Sequence, residues 1–185
     1  MVLFLTRHGE TDYNLVGRYC GSIDAPLNGR GEAQARDLAA RLAAEGAQFD
    51  AVISSPLLRA RQTADIVCAA LGMDYEIFHE FAERNMGVFE GQTAEENREK
   101  YPEMWARHCS PTPDCAPDGG ESARQMCARI DGGIARLREM HVGRRVLLIA
   151  HGYAGRAIHR HIHNLDFLEM AGYVLGNCEI AEYRL

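Results

Sequence analysis

An α/β fold is predicted: three αβα layers, with helices on both faces of a mostly parallel sheet. Three observations carry this. Short apolar runs alternate with segments of helical periodicity along the 185 residues. The runs at 2–5, 51–53 and 146–149 are continuously apolar, as strands covered on both faces are. Glycine, serine and proline fall between the segments, where turns and caps need them.

The elements follow in order. Residues 2–5 form the first buried strand. A helix over 29–45 turns Ala35, Leu38, Ala39 and Leu42 inward and stops at Gly46. Residues 51–53 form a second strand. Ser55 is the expected N-cap of the next helix, with Pro56 at its first position, Leu57, Ala60, Ala64, Val67 and Leu71 inside, and Gly72 at its end. A weaker strand is expected over 75–78. Four of the six prolines lie in 91–120 (Pro102, Pro111, Pro113, Pro117). That stretch predicts a short helix, then an irregular half, as in a lid or binding loop. A helix over 121–140 faces Cys127, Ile130, Ile134 and Leu137 inward. Then come a strand at 146–149, a helix near 154–163, and short strands at 173–175 and 180–183. The whole, 1–185, reads as one domain with a lid or insert at about 91–120.

Charge and cysteines narrow the function. Twenty Lys+Arg against 26 Asp+Glu give a net charge of −6, with no basic run to draw nucleic acid. No apolar run is long enough to span a bilayer, and the opening residues, broken by Thr6 and Arg7, match no leader. A cytoplasmic location is therefore expected, with neither nucleic acid nor membrane as partner. Oligomeric state is left open. Cys20, Cys68, Cys109, Cys115, Cys127 and Cys178 form no Cys-x-x-Cys. Cys109 and Cys115 are close enough for a loop disulfide, but reduced thiols are the expectation.

Two buried runs end alike: Leu5-Thr6-Arg7-His8-Gly9 and Ile149-Ala150-His151-Gly152. A lone histidine at a strand end is usually a polar residue at a turn. Two with one pattern, each before a glycine, put two imidazoles on one pocket if the strands are parallel neighbours. Arg59, early in the helix after the second strand, belongs to the same rim. Two arginines and two histidines there make an anion site, and a phosphoryl group suits the arginine forks. The competing reading has Arg59 on a surface and Arg7 paired with a carboxylate.

Arg7-His8-Gly9-Glu10-Thr11, with Asn14, resembles the first block of the histidine phosphatase superfamily, the phosphoglycerate mutase-like enzymes. Further matches follow in order: Gly21 to Asn28 with Gly31, Ser54 to Ala64, Glu83 to Gly91, Gly119 to Ser122, and Ala150-His151-Gly152. The resemblance covers nearly the whole chain. It implies phosphoryl transfer through a phosphohistidine on His8, with Arg7, Arg59 and His151 clamping the phosphoryl oxygens and Asn14 as a further contact. Glu83 matches the general acid/base. Cys20, Gly21 and Gly152 are further substrate-binding candidates. No metal and no cofactor are expected, because the arginines supply the positive charge.

Departures from the mutase pattern favour the phosphatase branch. Cys20 stands where mutases tend to carry threonine. No lysine lies near Ala94, where mutases hold a substrate carboxylate. Trp105-Ala106-Arg107 only partly echoes the mutase lid arginines. Arg61 is assigned to the surface. The expected partner is a small phosphomonoester. The alternatives are a phosphoglycerate mutase or sugar bisphosphatase of the same fold, α-ribazole phosphatase as the specific phosphatase, or a non-catalytic phospho-ligand binder. His159 and His163, four apart on one helix face, are a possible metal pair without an evident third ligand, and a solvated helix end is preferred.

Overall fold

The computed structural model describes residues 1–108 and 113–185. In chain order the elements are β1 (Val2–Arg7), α1 (Asp12–Leu15), α2 (Gly29–Ala44), β2 (Ala51–Ser54), α3 (Leu58–Leu71), β3 (Glu76–Ile77), α4 (Ala94–Lys100), α5 (Pro102–His108), α6 (Ala123–Met140), β4 (Arg145–Ala150), α7 (Gly152–His163), α8 (Phe167–Ala171) and β5 (Ile180–Arg184). The sheet order is β3-β2-β4-β1-β5. The first four strands run parallel, and β5 closes the edge antiparallel to β1.

The continuous apolar runs are explained by burial on two faces. Leu3 and Leu5 of β1, with Val146, Leu148 and Ala150 of β4, pack under α6 and α7. Phe4, Leu147 and Ile149 point the other way, against Ala35, Leu38 and Leu42 of α2 and Ala60, Ala64 and Val67 of α3. Strand side chains alternate faces, so a central strand with helices on both sides has no solvent face to mark with polar residues. The three-layer expectation holds, and no helix among the described residues is long and apolar enough to cross a membrane.

Several local expectations change. Helix α3 starts at Leu58, with Leu57 at the N-cap position and no side-chain cap, so Ser55 is not its cap. The serine is engaged with His151 instead. Glu121 lies before α6, whose cap is Ser122 in a reciprocal box with Gln125. Pro102 opens α5 rather than ending helical structure, since a first-turn position needs no N–H. Thr93 and Glu96 box the start of α4. The strand expected over 173–175 does not form. Its Tyr173 and Leu175 carbonyls accept from Arg156 and Arg7, and only Asn177 makes an isolated bridge to Arg7. Helix α8, capped by Asp166, was not foreseen. The suggested Cys109–Cys115 pairing, like Pro111, involves a residue outside those described.

The fold positions the site through one register. Arg7 pairs with Ala150, and the His8 amide donates to the Ala150 carbonyl at 3.0 Å. The next residues of both strands, His8 and His151, therefore leave the sheet side by side at its carboxyl edge.

Candidate active site

His8 is buried, 5.1 Å from His151 between ring centroids. Its Nδ1 lies 2.6 Å from the Gly9 carbonyl oxygen. A carbonyl only accepts, so Nδ1 carries the hydrogen and Nε2 keeps its lone pair. Burial, reinforced by the positive charges of Arg59 and Arg7, holds His8 well below the usual histidine range. The ring is therefore neutral near pH 7. Gly9 packs backbone to backbone on Gly31, where a Cβ would stand 2.3 Å from the Gly31 oxygen. The Gly9 amide also donates to Thr63 Oγ1 at 3.1 Å. The turn after His8 is thus tied to α2 and α3.

Arg59 is 1% exposed. Its Nε donates to His8 Nε2 at 3.2 Å, and its two terminal nitrogens donate to the Ile23 and Gly21 carbonyls at 2.8 Å each. One guanidinium thus anchors the 21–23 loop and covers the lone pair of His8. Arg7 is largely buried, with its Nε unpartnered among the described residues. Burial lowers its proton affinity, and the Glu83 carboxylate opposes that.

His151 begins the turn into α7, and its Nε2 lies 2.6 Å from Ser55 Oγ. That serine oxygen already accepts from the Leu57 amide at 3.3 Å. With one hydrogen to give and a second lone pair, the hydroxyl suits either tautomer of the ring. Nδ1 is buried and has no partner among the described residues. Burial, then the charge of Arg59, keeps His151 neutral as well.

Glu83 is held by backbone. It accepts from the Tyr153 amide at one oxygen, and from the Ala154 and Arg84 amides at the other, at 2.9–3.1 Å. The first two amides belong to the opening turn of α7, whose free N–H groups and dipole favour an anion. Arg84 and Arg129 fix this loop. Arg84 donates to the Glu121 carbonyl at 2.9 Å. Arg129 donates to the Glu80 and Ala82 carbonyls at 2.6 and 3.0 Å and forks onto the Glu121 carboxylate.

Arg7, His8, Asn14, Cys20, Gly21, Arg59, Glu83 and Gly152 all line one cavity of about 220 Å³. His151 lies behind it, against His8. Over residues 3–185 the chain matches the model of the histidine phosphatase superfamily, branch 1. The chain belongs to this superfamily. It is 32% identical over 182 residues to the uncharacterized phosphatase PhoE of Bacillus subtilis, covering 96% of this chain and 88% of the relative. It is 36% identical over 153 residues to the probable phosphoglycerate mutase GpmB of Escherichia coli, covering 82% and 70%. The crystal structure of the alpha-ribazole phosphatase from Shigella flexneri superposes with a TM-score of 0.89 at 27% identity, covering 98% of this chain and 89% of that one.

Within this histidine phosphatase fold the remaining candidates take distinct places. Asn14 accepts from the Thr11 amide at 3.1 Å, which leaves its amide nitrogen for a ligand. Cys20 directs its thiol to the Ile23 carbonyl at 3.4 Å, so its one donor is engaged within the loop. Gly21 has φ +50°, and a Cβ there would stand 2.1 Å from Glu90 Oε1. It lets Glu90 reach the Ser22 and Met86 amides. Gly152 leaves open the space beside Arg7 and Glu83, each 3.7–3.8 Å from where its Cβ would lie. Arg61 is half-exposed and 3.9 Å from Asp24, as a surface residue. His159 stacks on Tyr173 and bonds Tyr183 at 3.0 Å, and no metal cluster of three ligands occurs among the described residues.

Sequence reasoning missed Ser55, Thr63 and Arg156 as site residues. Ser55 sits inside a matched block but was given to a helix cap. Thr63 and Arg156 each lie four residues beyond a site candidate on the same helix, and that spacing was the available signal.

Proposed function

We propose that this chain is a phosphatase that hydrolyses a small phosphomonoester without a metal ion, through a phosphohistidine on His8 with Glu83 as general acid and base. The observation that supports this most is the His8 ring, neutral, with its hydrogen on Nδ1 and its Nε2 lone pair at the cavity beside two guanidiniums. A neutral, oriented imidazole among preorganised cations is what nucleophilic displacement at phosphorus needs.

In this reading the phosphoryl oxygens take the N–H donors of Arg7 and Arg59, and Arg59 gives up its bond to His8 Nε2. The lone pair then attacks phosphorus. The bond to the leaving oxygen breaks, and Glu83 supplies that oxygen's proton. In the same reading the Ser55 hydroxyl donates to His151 Nε2, and the hydrogen on Nδ1 donates to a phosphoryl oxygen, as does the Asn14 amide. A water then attacks the phosphohistidine, gives its proton to Glu83, and frees His8 and inorganic phosphate. The arginines carry the charge stabilisation that a metal supplies elsewhere.

The GpmB relative favours a second reading, a phosphoglycerate mutase or sugar bisphosphatase. Against it, Ala94 is neutral and Arg18 is bound to Glu96 at 2.8 Å, which favours release to water over retention for a second hydroxyl. The Shigella relative makes α-ribazole phosphate a candidate ester. We also propose that residues 91–120 act as a lid within one domain, and that the chain works in the cytoplasm with reduced thiols.

The test is release of inorganic phosphate from a panel of phosphomonoesters in excess EDTA, beside His8→Ala. EDTA-resistant turnover that vanishes in the variant is expected. Turnover lost to EDTA and restored by a divalent metal would overturn the metal-free route. Interconversion of 2- and 3-phosphoglycerate without phosphate release would establish the mutase.

A further inference from the structure

Glu83 borders two cavities. It lines the phosphoryl cavity and also a second one of about 440 Å³, which Glu121 and Arg129 line as well. Guanidiniums surround it, yet Glu83 enters none of the ion pairs among the described residues. The two arginines that hold its loop are turned elsewhere. Arg84, its neighbour in the chain, donates to the Glu121 and Cys115 carbonyls at 2.9 and 3.3 Å.

Arg129 of α6 is aimed by Glu121. Its Nε and one terminal nitrogen fork onto the Glu121 carboxylate at 3.1 and 2.8 Å. The other terminal nitrogen donates to the Glu80 and Ala82 carbonyls at 2.6 and 3.0 Å. The Ala82 bond brings the guanidinium to the residue just before the acid. Glu121 also holds the far side of the loop, since its amide donates to the Asn85 carbonyl at 2.8 Å. The chain is thus tied before and after Glu83.

An arginine fork suits any carboxylate within reach. A fork on Glu83 would defeat an acid. Three backbone amides already favour its ionised form, and an opposite charge within about 4–6 Å lowers a carboxylate's proton affinity a further 10- to 1,000-fold, roughly. A general acid must hold its proton as the leaving oxygen departs. The Glu121 carboxylate takes the fork, and its charge offsets that of Arg129.

We propose that Glu121 is a positioning residue for the acid: it occupies the Arg129 fork, so that Arg129 ties the Glu83 loop without pairing with the Glu83 carboxylate. This rests on the reading of Glu83 as general acid. It gives the Gly119-Gly120-Glu121-Ser122 block a part in the reaction from outside the phosphoryl cavity.

The experiment measures single-turnover release of glycerol from glycerol 3-phosphate at about pH 6 and 8, with the nitrophenolate burst from p-nitrophenyl phosphate as the folding control, since that leaving group needs no proton. Across the phosphoryl cavity Glu83 faces Arg7, Arg59 and Arg156, with His8, Cys20, Tyr153 and the Glu96-bound Arg18. These are the same in every variant. In the second cavity His79 is the other titratable group beside Glu121 and Arg129, so the series is repeated in a His79→Gln background. Glu121→Gln should slow glycerol release about 10- to 100-fold at pH 8, as an unneutralised arginine beside the acid would. The loss should shrink at pH 6, where solvent supplies the proton, and the nitrophenolate burst should stay near wild type. Glu121→Gln/Arg129→Gln, which removes both charges and keeps amide donors, should regain most of the loss. A loss equal at both pH values, or a double variant no faster than the single one, overturns the proposal and leaves Glu121 a scaffold residue. Glu83→Gln tests the reading beneath it. If that variant leaves the ratio of the two esters unchanged, Glu83 is not the acid and both fall.

Discussion

Ser55→Ala takes one oxygen from a place water does not reach, since Ser55 and His151 are 0% and 1% exposed. The bond lost is the 2.6 Å contact to His151 Nε2. A buried ring nitrogen left without a partner costs about 1–3 kcal/mol. The Leu57 amide also loses its acceptor, but it lies in a half-buried turn where water can replace it. For a chain of this length each kcal/mol moves the melting temperature by about 2–4 °C, so a drop of several degrees is expected. The kinetic consequence is larger. The serine hydroxyl holds the His151 ring, and a misplacement of about 1 Å at a reacting centre can cost about 100-fold. A fall in kcat of about 10- to 100-fold is expected, with KM changed little because Arg7 and Arg59 still bind the phosphoryl group. The assay is steady-state phosphate release beside thermal melts, repeated in a His151→Ala background. There Ser55→Ala should add less than about threefold, because residues acting as one unit are not additive. A full, additive loss in the double variant would refute the reasoning. So would a lower melting temperature with unchanged kcat, the behaviour of a helix cap alone.

Glu83→Gln should lower kcat on alkyl phosphates by about 100- to 10,000-fold, the range for a general acid. With p-nitrophenyl phosphate, whose leaving group needs no proton, it should give a burst of nitrophenolate followed by slow turnover. Equal slowing of both substrates without a burst would remove Glu83 as the acid. Gly21→Ala should destabilise by about 1–2 kcal/mol from the left-handed backbone alone, and more because the new Cβ meets Glu90; a melt within 1 °C of wild type, on that scale, would contradict this. Folding stability should decline as pH drops below the unfolded histidine value, about 6.5. His8 and His151 resist protonation when buried, and His108 is pushed down to about 4 by burial and Arg84. The unfolded chain therefore binds more protons across this window, so stability is full above it and lost as pH falls. Melts at pH 7.5 and 5 in phosphate-free buffer check the sign, and a higher melting temperature at pH 5 would refute it.

The sequence by itself determined the layered fold and the family. Continuous apolar strands, helices of regular spacing and two histidine–glycine strand ends are local features, and local features survive in one dimension. His8, Arg7, Arg59 and Gly152 are legible in this way, Glu83 through the family resemblance, and all five share a cavity. Only the tertiary structure decided what each polar atom touches. Ser55 looked like a cap because capping is the local use of serine before a helix, yet its partner is 96 positions away. The apolar residues at 173–175 looked like a strand, yet carbonyls there accept from Arg7 and Arg156. Arg156 looked like any helix arginine until Gly152 and Tyr153 placed it on the cavity. Hydrogen bonds between distant segments have no sequence period, so the partners that hold the imidazoles appear only when the chain is folded.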